Sequence, residues 1–302
     1  MAVAAMRELL DHAKKNQYAV GYFEAFNMDF MLAILDAAQE TKSPAIIGFG
    51  GQFLSSQNRE IQEDIYIYGA LAREAAVRAS VPVAILLNEA DREDMIYQGM
   101  NAGFNAVMYQ KSGESAGDTL RITKEICRVA HMLGIDVESE IGELPCSDIG
   151  SGTMTVGKRT DIIEAKSFFM ETGIDALAVA IGNVHLLESD KSPIDFQLLS
   201  ELREEIPIPL VLHGGTGIHP KDMKTAIQYG ICKINVGTVL KRAYIEALGK
   251  FYTERDISRV DPHITIGWGG KDDMMASGRA AVTSKVKEFI KLFGSEGQAG
   301  LR

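Results

Sequence analysis

The chain has 302 residues, 46% hydrophobic and 24% charged, which are ordinary globular values that exclude collagen, coiled coil and wholesale disorder. At that length one large α/β barrel or two ordinary domains can each bury a full core. A formal net charge of −10 speaks against a sequence-independent nucleic-acid binder, which needs a basic face, but leaves room for a local anion site.

In chain order, residues 1–17 have no long apolar core, Asp11 breaking the apolar stretch, and read as a first amphipathic helix, not as a signal peptide. Short apolar runs then alternate with longer amphipathic stretches. The candidate strands are 19–26, 44–50, 82–89, 106–110, 136–141, 176–182, 209–213 and 233–236, several of them nearly continuous in Val, Ile, Leu and Ala, which suits parallel strands buried on both faces. Helical periodicity covers 28–40, 61–79, 92–102, 115–133, 162–172, 196–205, 221–229, 239–252 and 275–292. Eight strands alternating with helices predict a single-domain (β/α)8 TIM barrel over 1–302. The rival, a doubly wound open sheet, would show a glycine-rich loop after the first strand; here Gly21 stands alone, before the strand ends. Two loops, 143–158 and 256–273, are longer than a barrel needs, and such loops serve as lids or partner contacts. Cys127, Cys146 and Cys232 form no CxxC pair, so a reducing cytoplasm is the expected setting. No apolar run approaches the roughly 18 residues of a membrane span, so neither membrane nor nucleic acid is an expected partner.

A barrel carries its chemistry at the C-terminal ends of its strands. The polar residues there are Glu24, Asn27, Asn88, Glu89, Gln110, Glu138, Glu140, His185, His213, Asn235 and Thr238. Two histidines with several carboxylates suit a divalent metal, although a lone strand-end histidine is more often a hydrogen-bonded structural residue than a ligand. Glu138 and Glu140 share a face, and one of them is free to pair with a lysine inside the barrel. His12, His131, His219 and His263 read as surface residues. HGGTG at 213–217 and NVGT at 235–238 each follow an apolar strand and open a helix. Backbone N–H groups in such loops approach phosphate, and the loops after strands seven and eight are its usual place in barrels. Two tight turns with no ligand are the plain alternative. No glycine pattern fits dinucleotide or P-loop spacing.

AVAIGNVH (178–185), PLVLHGGTGI (209–218) and KINVGT (233–238) resemble the zinc-dependent class II fructose-bisphosphate and tagatose-bisphosphate aldolases. KSPAII (42–47), GFNAVM (103–108), VESEIG (137–142) and LFGSEGQA (292–299) extend the likeness in order along the chain. The resemblance implies a TIM barrel, a divalent metal with zinc expected, a phosphorylated ketose-like ligand and a homodimer or homotetramer. In that family three histidines hold a metal that polarises the ketone, and an aspartate beside the first of them moves a hydroxyl proton. His185 and His213 match the second and third ligands. Gly214, Gly215, Thr216, Asn235 and Thr238 match the phosphate loops, with Gly182 and Gly237 in the same pocket. Glu140 matches an acidic residue near the metal.

The departures sit at the mouth. The family reads roughly HLDHG where this chain has Leu86, Leu87, Asn88, Glu89 and Ala90. Asn88 replaces the catalytic aspartate, and an amide neither takes nor gives a proton near neutral pH. Glu89 replaces the first histidine; with His185 and His213 it would form a triad of lower charge, hence a weaker Lewis acid. Leu186 replaces a glycine, Glu24 an asparagine, Gly50 a serine and Gln110 an aspartate. Random decay would not spare two histidines and both phosphate loops. The expectation is therefore a metal-dependent lyase of altered chemistry on a phosphorylated ketose or sugar acid. Glu24, Asn88, Glu89 and Glu140 are its candidate catalytic residues, with Glu24 the replacement base if Glu89 ligates metal. An epimerase, isomerase or decarboxylase, or a non-catalytic phosphosugar-binding protein, are the alternatives.

Overall fold

A computed structural model of the chain describes residues 3–61, 63–144, 157–184 and 193–300. Helix α1 (Met6–Asn16) precedes β1 (Val20–Glu24), α2 (Met28–Glu40), β2 (Ala45–Gly50), α3 (Gly51–Ser55), α4 (Ile65–Arg78), β3 (Val83–Ala90) and α5 (Glu93–Ala102). Then follow β4 (Ala106–Tyr109), α6 (Ala116–Met132), β5 (Asp136–Ile141), α7 (Ile162–Thr172), β6 (Ala176–Val179) and α8 (Phe196–Glu205). The chain ends with β7 (Leu210–Leu212), α9 (Pro220–Gln228), β8 (Ile231–Val236), α10 (Thr238–Thr253), α11 (Pro262–Thr265) and α12 (Met274–Phe293). The strands close in sequence order into one barrel, β8 pairing in parallel with β1. This is the expected (β/α)8 barrel.

Strand alternation divides the core. Inward residues such as Val20, Tyr22, Ala84, Leu86, Met108 and Val211 fill the barrel interior. Outward residues such as Phe23, Ile85, Leu87 and Val107 pack under the helices. Helix α1 closes the bottom by burying Met6, Leu9, Leu10 and Ala13, an i, i+3, i+4, i+7 stripe, into the interior cluster. Side-chain caps start most of the barrel helices: Asn27 accepts from Phe30 N, Asp64 from Tyr66 N, Ser115 from Asp118 N, and Asp161 from Glu164 N.

Differences from the sequence-based expectation are local. The sixth strand ends at Val179, and the third runs on to Ala90. The short helix α3 was not foreseen; with 5 residues it is too short to show a period. The segment 256–273 is not a plain loop but holds a 3₁₀ turn (Ile257–Arg259) and α11. Most of the loop 143–158 lies outside the described residues, as do His185, Leu186 and Cys146. His131, His219 and His263 are exposed as expected, whereas His12 is half-buried, its Nδ1 2.8 Å from the Tyr18 hydroxyl. Among the described residues no helix is long and apolar enough to cross a membrane.

Candidate active site

The interior floor of the mouth is an ion pair. Lys233 Nζ lies 3.0 Å and 2.9 Å from the two Glu138 oxygens, donates to Asn235 Oδ1 at 2.6 Å, and sits 4.7 Å from the Tyr22 ring centroid. Burial works against the Glu138 charge, but Lys233 and then His213 outweigh it and hold its pKa below the ordinary carboxylate range. So Glu138, not Glu140, is the one that takes the lysine.

Glu138 in turn orients His213. Its Oε1 lies 3.0 Å from His213 Nε2, which leaves Nδ1 facing Glu140 Oε2 at 3.0 Å and Glu89 Oε1 at 3.6 Å. Glu140 Oε2 is buried and makes no hydrogen bond among the described residues, its contact with His213 being an ion pair. Gln110 Nε2 donates to the other Glu140 oxygen at 3.3 Å. Buried Asn183 donates to the His213 carbonyl at 3.0 Å and fixes the backbone at the strand end. Burial disfavours the charged imidazole, but the Glu138 and Glu140 carboxylates overcome it and raise the His213 pKa to about 9.

Glu89 reaches this group through an unusual backbone. Ile85 and Leu87 point outward, so strict alternation would turn Glu89 away from the mouth. Instead Glu89 has φ +48°, and the β3–β4 register shifts between Leu87 and Ala90. A non-glycine residue held there stores strain, and such strain collects at functional sites. Gln52, on α3, donates to Glu89 Oε2 at 2.6 Å and holds the carboxylate in place. Asn88 follows the inward residues instead. It is buried, and its Oδ1, like the buried Tyr22 hydroxyl, has no hydrogen-bond partner among the described residues.

Glu24 ends β1 on the other side of the mouth. Two glycines make its space: a Cβ on Gly50 would stand 2.6 Å from Oε1, and one on Gly237 would stand 2.6 Å from Oε2. Among the described residues Glu24 has no hydrogen bond and no ion pair. Burial first, and then the Glu89 charge, push its pKa up to about 8, with Lys241 pulling the other way. Lys241 is itself packed over aromatic rings, 3.8 Å from the Phe26 centroid and 4.4 Å from that of Phe53.

The family model for fructose-bisphosphate aldolase class-II matches residues 4–298. The chain belongs to the class II fructose-bisphosphate aldolase family. The curated proteins it resembles include the uncharacterized protein YdjI of Escherichia coli K12, 32% identical over 98% of this chain and 99% of that protein. A fructose-bisphosphate aldolase of Geobacillus stearothermophilus is 33% identical over 99% of both chains. Among solved structures, the YdjI aldolase of Escherichia coli K12 superposes with a TM-score of 0.81 at 31% identity, covering 98% of this chain and 99% of that one. Family membership supports a lyase-type function, and the class II aldolases are in general divalent-metal enzymes.

For a class II family member the glycine loops have a clear architecture. Gly214 takes φ +67°, and Gly215–Gly217 form one 3₁₀ turn closed by Gly217 N to Gly214 O at 3.0 Å. That turn abuts the last strand, since a Cβ on Gly215 would come 2.9 Å from the Asn235 carbonyl. Thr216 and Thr238 border the mouth, while the Asn235 side chain already accepts from Lys233. Gly182 serves a close backbone approach: at φ +107° a Cβ there would lie 2.3 Å from the Pro193 carbonyl.

Of the three expected metal ligands, His213 and Glu89 come together, and His185 lies outside the described residues. Among the described residues no group of three or more His, Cys, Asp or Glu side chains is set to hold a metal ion. The donors fit a divalent cation in kind: one imidazole nitrogen facing two carboxylates, one with an unsatisfied buried oxygen. His185 would complete the set. Gln52, Asn183 and Lys241 were not singled out in the sequence. Gln52 sits on a helix too short to see, and Lys241 reads as one more exposed helical charge.

Proposed function

We propose that this chain is a lyase that breaks the bond between the α and β carbons of a phosphorylated ketose or sugar acid, counted from its ketone, with a site altered from that of fructose-bisphosphate aldolase. The observation behind this reading is His213, held by Glu138 on one nitrogen and facing Glu89 and Glu140 with the other. His213, Glu89 and His185 would hold a divalent metal, zinc by ligand type, and its chemistry when bound is Lewis-acid polarisation of the substrate carbonyl. The loop at 213–217 would hold a substrate phosphate through its backbone N–H groups. Asn88 orients but moves no proton. Glu89, tied to Gln52 and turned toward His213, would serve as a ligand, and Glu24 would then be the carboxylate that takes a hydroxyl proton.

A second reading has one observation in its favour. An amide at position 88 suits reactions that need no proton transfer at a distant hydroxyl, namely epimerisation or decarboxylation. Product analysis separates the two. The full chain, purified without chelator, is incubated with phosphorylated ketoses and keto sugar acids. Two carbonyl fragments support the lyase; a single isomer or carbon dioxide supports the second reading. Turnover of fructose bisphosphate at the rate of an ordinary aldolase would refute the altered site. Glu24→Gln is expected to abolish turnover while metal stays bound, and retained turnover would remove Glu24 from the base role.

A further inference from the structure

One cation at the rim of the mouth lacks an acceptor. Lys241 lies in the first turn of α10, just after β8, and its Nζ stands 3.8 Å from the Phe26 ring centroid and 4.4 Å from that of Phe53. Phe26 follows β1 and Phe53 belongs to α3 after β2, so all three sit where the strands end. The place adjoins the carboxylates of the mouth. A Cβ on Gly50 would stand 2.6 Å from Glu24 Oε1 and 2.7 Å from a Phe53 ring carbon, so that carboxyl group and that ring are neighbours. Among the described residues the Lys241 ammonium makes no hydrogen bond and no ion pair. Two ring faces hold it by cation–π attraction, but an ammonium has three N–H donors. A half-buried ammonium held in this way keeps donors for an acceptor that these residues do not supply.

We infer that Lys241 is a specificity-determining residue that receives a carboxylate at the far end of the substrate, the end not held by the loop at 213–217. This rests on the reading of the mouth as a site for phosphorylated ketoses or sugar acids, and within that reading it selects the sugar acid. A carboxylate suits the place better than a phosphate. It is planar, it brings one charge to one cation, and it fits beside rings whose electron-rich faces repel a bulky dianion. A phosphate dianion calls for several donors at once, as the backbone N–H groups of a glycine loop provide. Glu24 carries a proton below about pH 8, so at neutral pH it neither cancels the lysine nor repels the incoming anion.

Titration calorimetry at neutral pH on the full chain, as purified without chelator, tests this. The probes share a four-carbon chain with a phosphate at one end and differ at the other. 4-Phosphoerythronate ends in a carboxylate, erythritol 4-phosphate in a hydroxyl, and erythritol 1,4-bisphosphate in a second phosphate. The wild type is expected to bind the carboxylate probe about tenfold more tightly than either of the others, the scale of one charge pair near a protein surface. Lys241→Met keeps an apolar stem on the rings and removes the charge. It is expected to weaken the carboxylate probe about tenfold and the hydroxyl probe less than about twofold. Lys241→Arg should restore the carboxylate probe, with thermal melting confirming that both variants fold. A bisphosphate that binds the wild type most tightly and weakens as much in Lys241→Met makes the far group a phosphate and overturns the inference. So does a carboxylate affinity unmoved in Lys241→Met, or a hydroxyl probe that weakens equally, since its phosphate would then be the group on the lysine. In each of these cases the phosphosugar reading stands. Failure of all three probes to bind the wild type overturns both.

Discussion

The two ends of the barrel are built to opposite rules. At the bottom Asp175, Asp136 and Asn105 each find partners. Asp175 accepts from Val137 N at 2.8 Å, contacts His131 Nε2 at 2.9 Å, and pairs with Arg7 at 3.2 Å. Asp136 accepts from Arg7 N at 2.8 Å, and Asn105 bridges Ala4 and Ile85, each at 2.7 Å. At the mouth, among the described residues, Glu24 is unpaired, Glu140 and Asn88 each keep a buried oxygen without a hydrogen bond, and Glu89 sits at φ +48°. Unmet polar groups and strain cost stability, so their concentration at one end marks where selection has favoured binding over folding. That is also the end at which barrel enzymes do their chemistry.

The largest effect should come from the charge pair that separates the two ends. Lys233→Met leaves Glu138 buried without its cation, and such a loss costs about 3–5 kcal/mol. Urea denaturation of the variant should show it, and a loss below about 1 kcal/mol would mean that His213 alone suffices to hold Glu138. At the bottom, Asp175→Ala removes a carboxylate that serves one backbone amide and two side chains. A loss of about 2–3 kcal/mol is expected, with no change in ligand binding at the mouth. An equal loss of binding would show that the two ends are not independent.

At the mouth the sign should reverse. Glu89→Gly relieves a left-handed backbone that disfavours a side chain, which stabilises by about 1 kcal/mol after the flexibility of glycine is counted. The same variant should lose metal and turnover together. Destabilisation instead would show that the Gln52 contact outweighs the strain.

How much of this was visible in the chain follows from the range of the interactions. The barrel was legible because buried parallel strands are apolar runs and surface helices have a period, both local signals. Glu24, Glu89, His213 and Asn235 were legible because a barrel gathers strand ends at one mouth. The direction of Glu89 was not, because it depends on a register shift against β4, and pleat parity alone would have turned it outward. Nor was the choice of Glu138 over Glu140 as the lysine's partner, since both share a face and only the position of Lys233, 95 residues away, decides it. Gln52 and Lys241 act across elements that are distant or very short, and nothing local marks them.

The smallest effect, and the most specific to the mouth, is in the pH dependence of stability. Glu24 has a folded pKa of about 8 against an ordinary value of 4.5. Between those values the folded chain holds a proton that the unfolded chain has released. Stability therefore falls as pH rises through that window. The groups that act on Glu24 are the Glu89 carboxylate, which raises its pKa, and the Lys241 ammonium, which lowers it. Glu24→Gln cannot titrate, so its stability relative to the wild type should grow steadily from pH 5 to pH 8.5. The mouth is open to water, which keeps the slope to a fraction of the ~1.4 kcal/mol per pH unit that one full proton would give. Glu89→Gln should shrink the same difference by removing the neighbouring charge. A wild type and Glu24→Gln whose stabilities stay parallel across the range would put Glu24 back in the ordinary carboxylate range. The contrast between a satisfied bottom and an unsatisfied mouth would then rest on Glu140, Asn88 and the strained Glu89 alone.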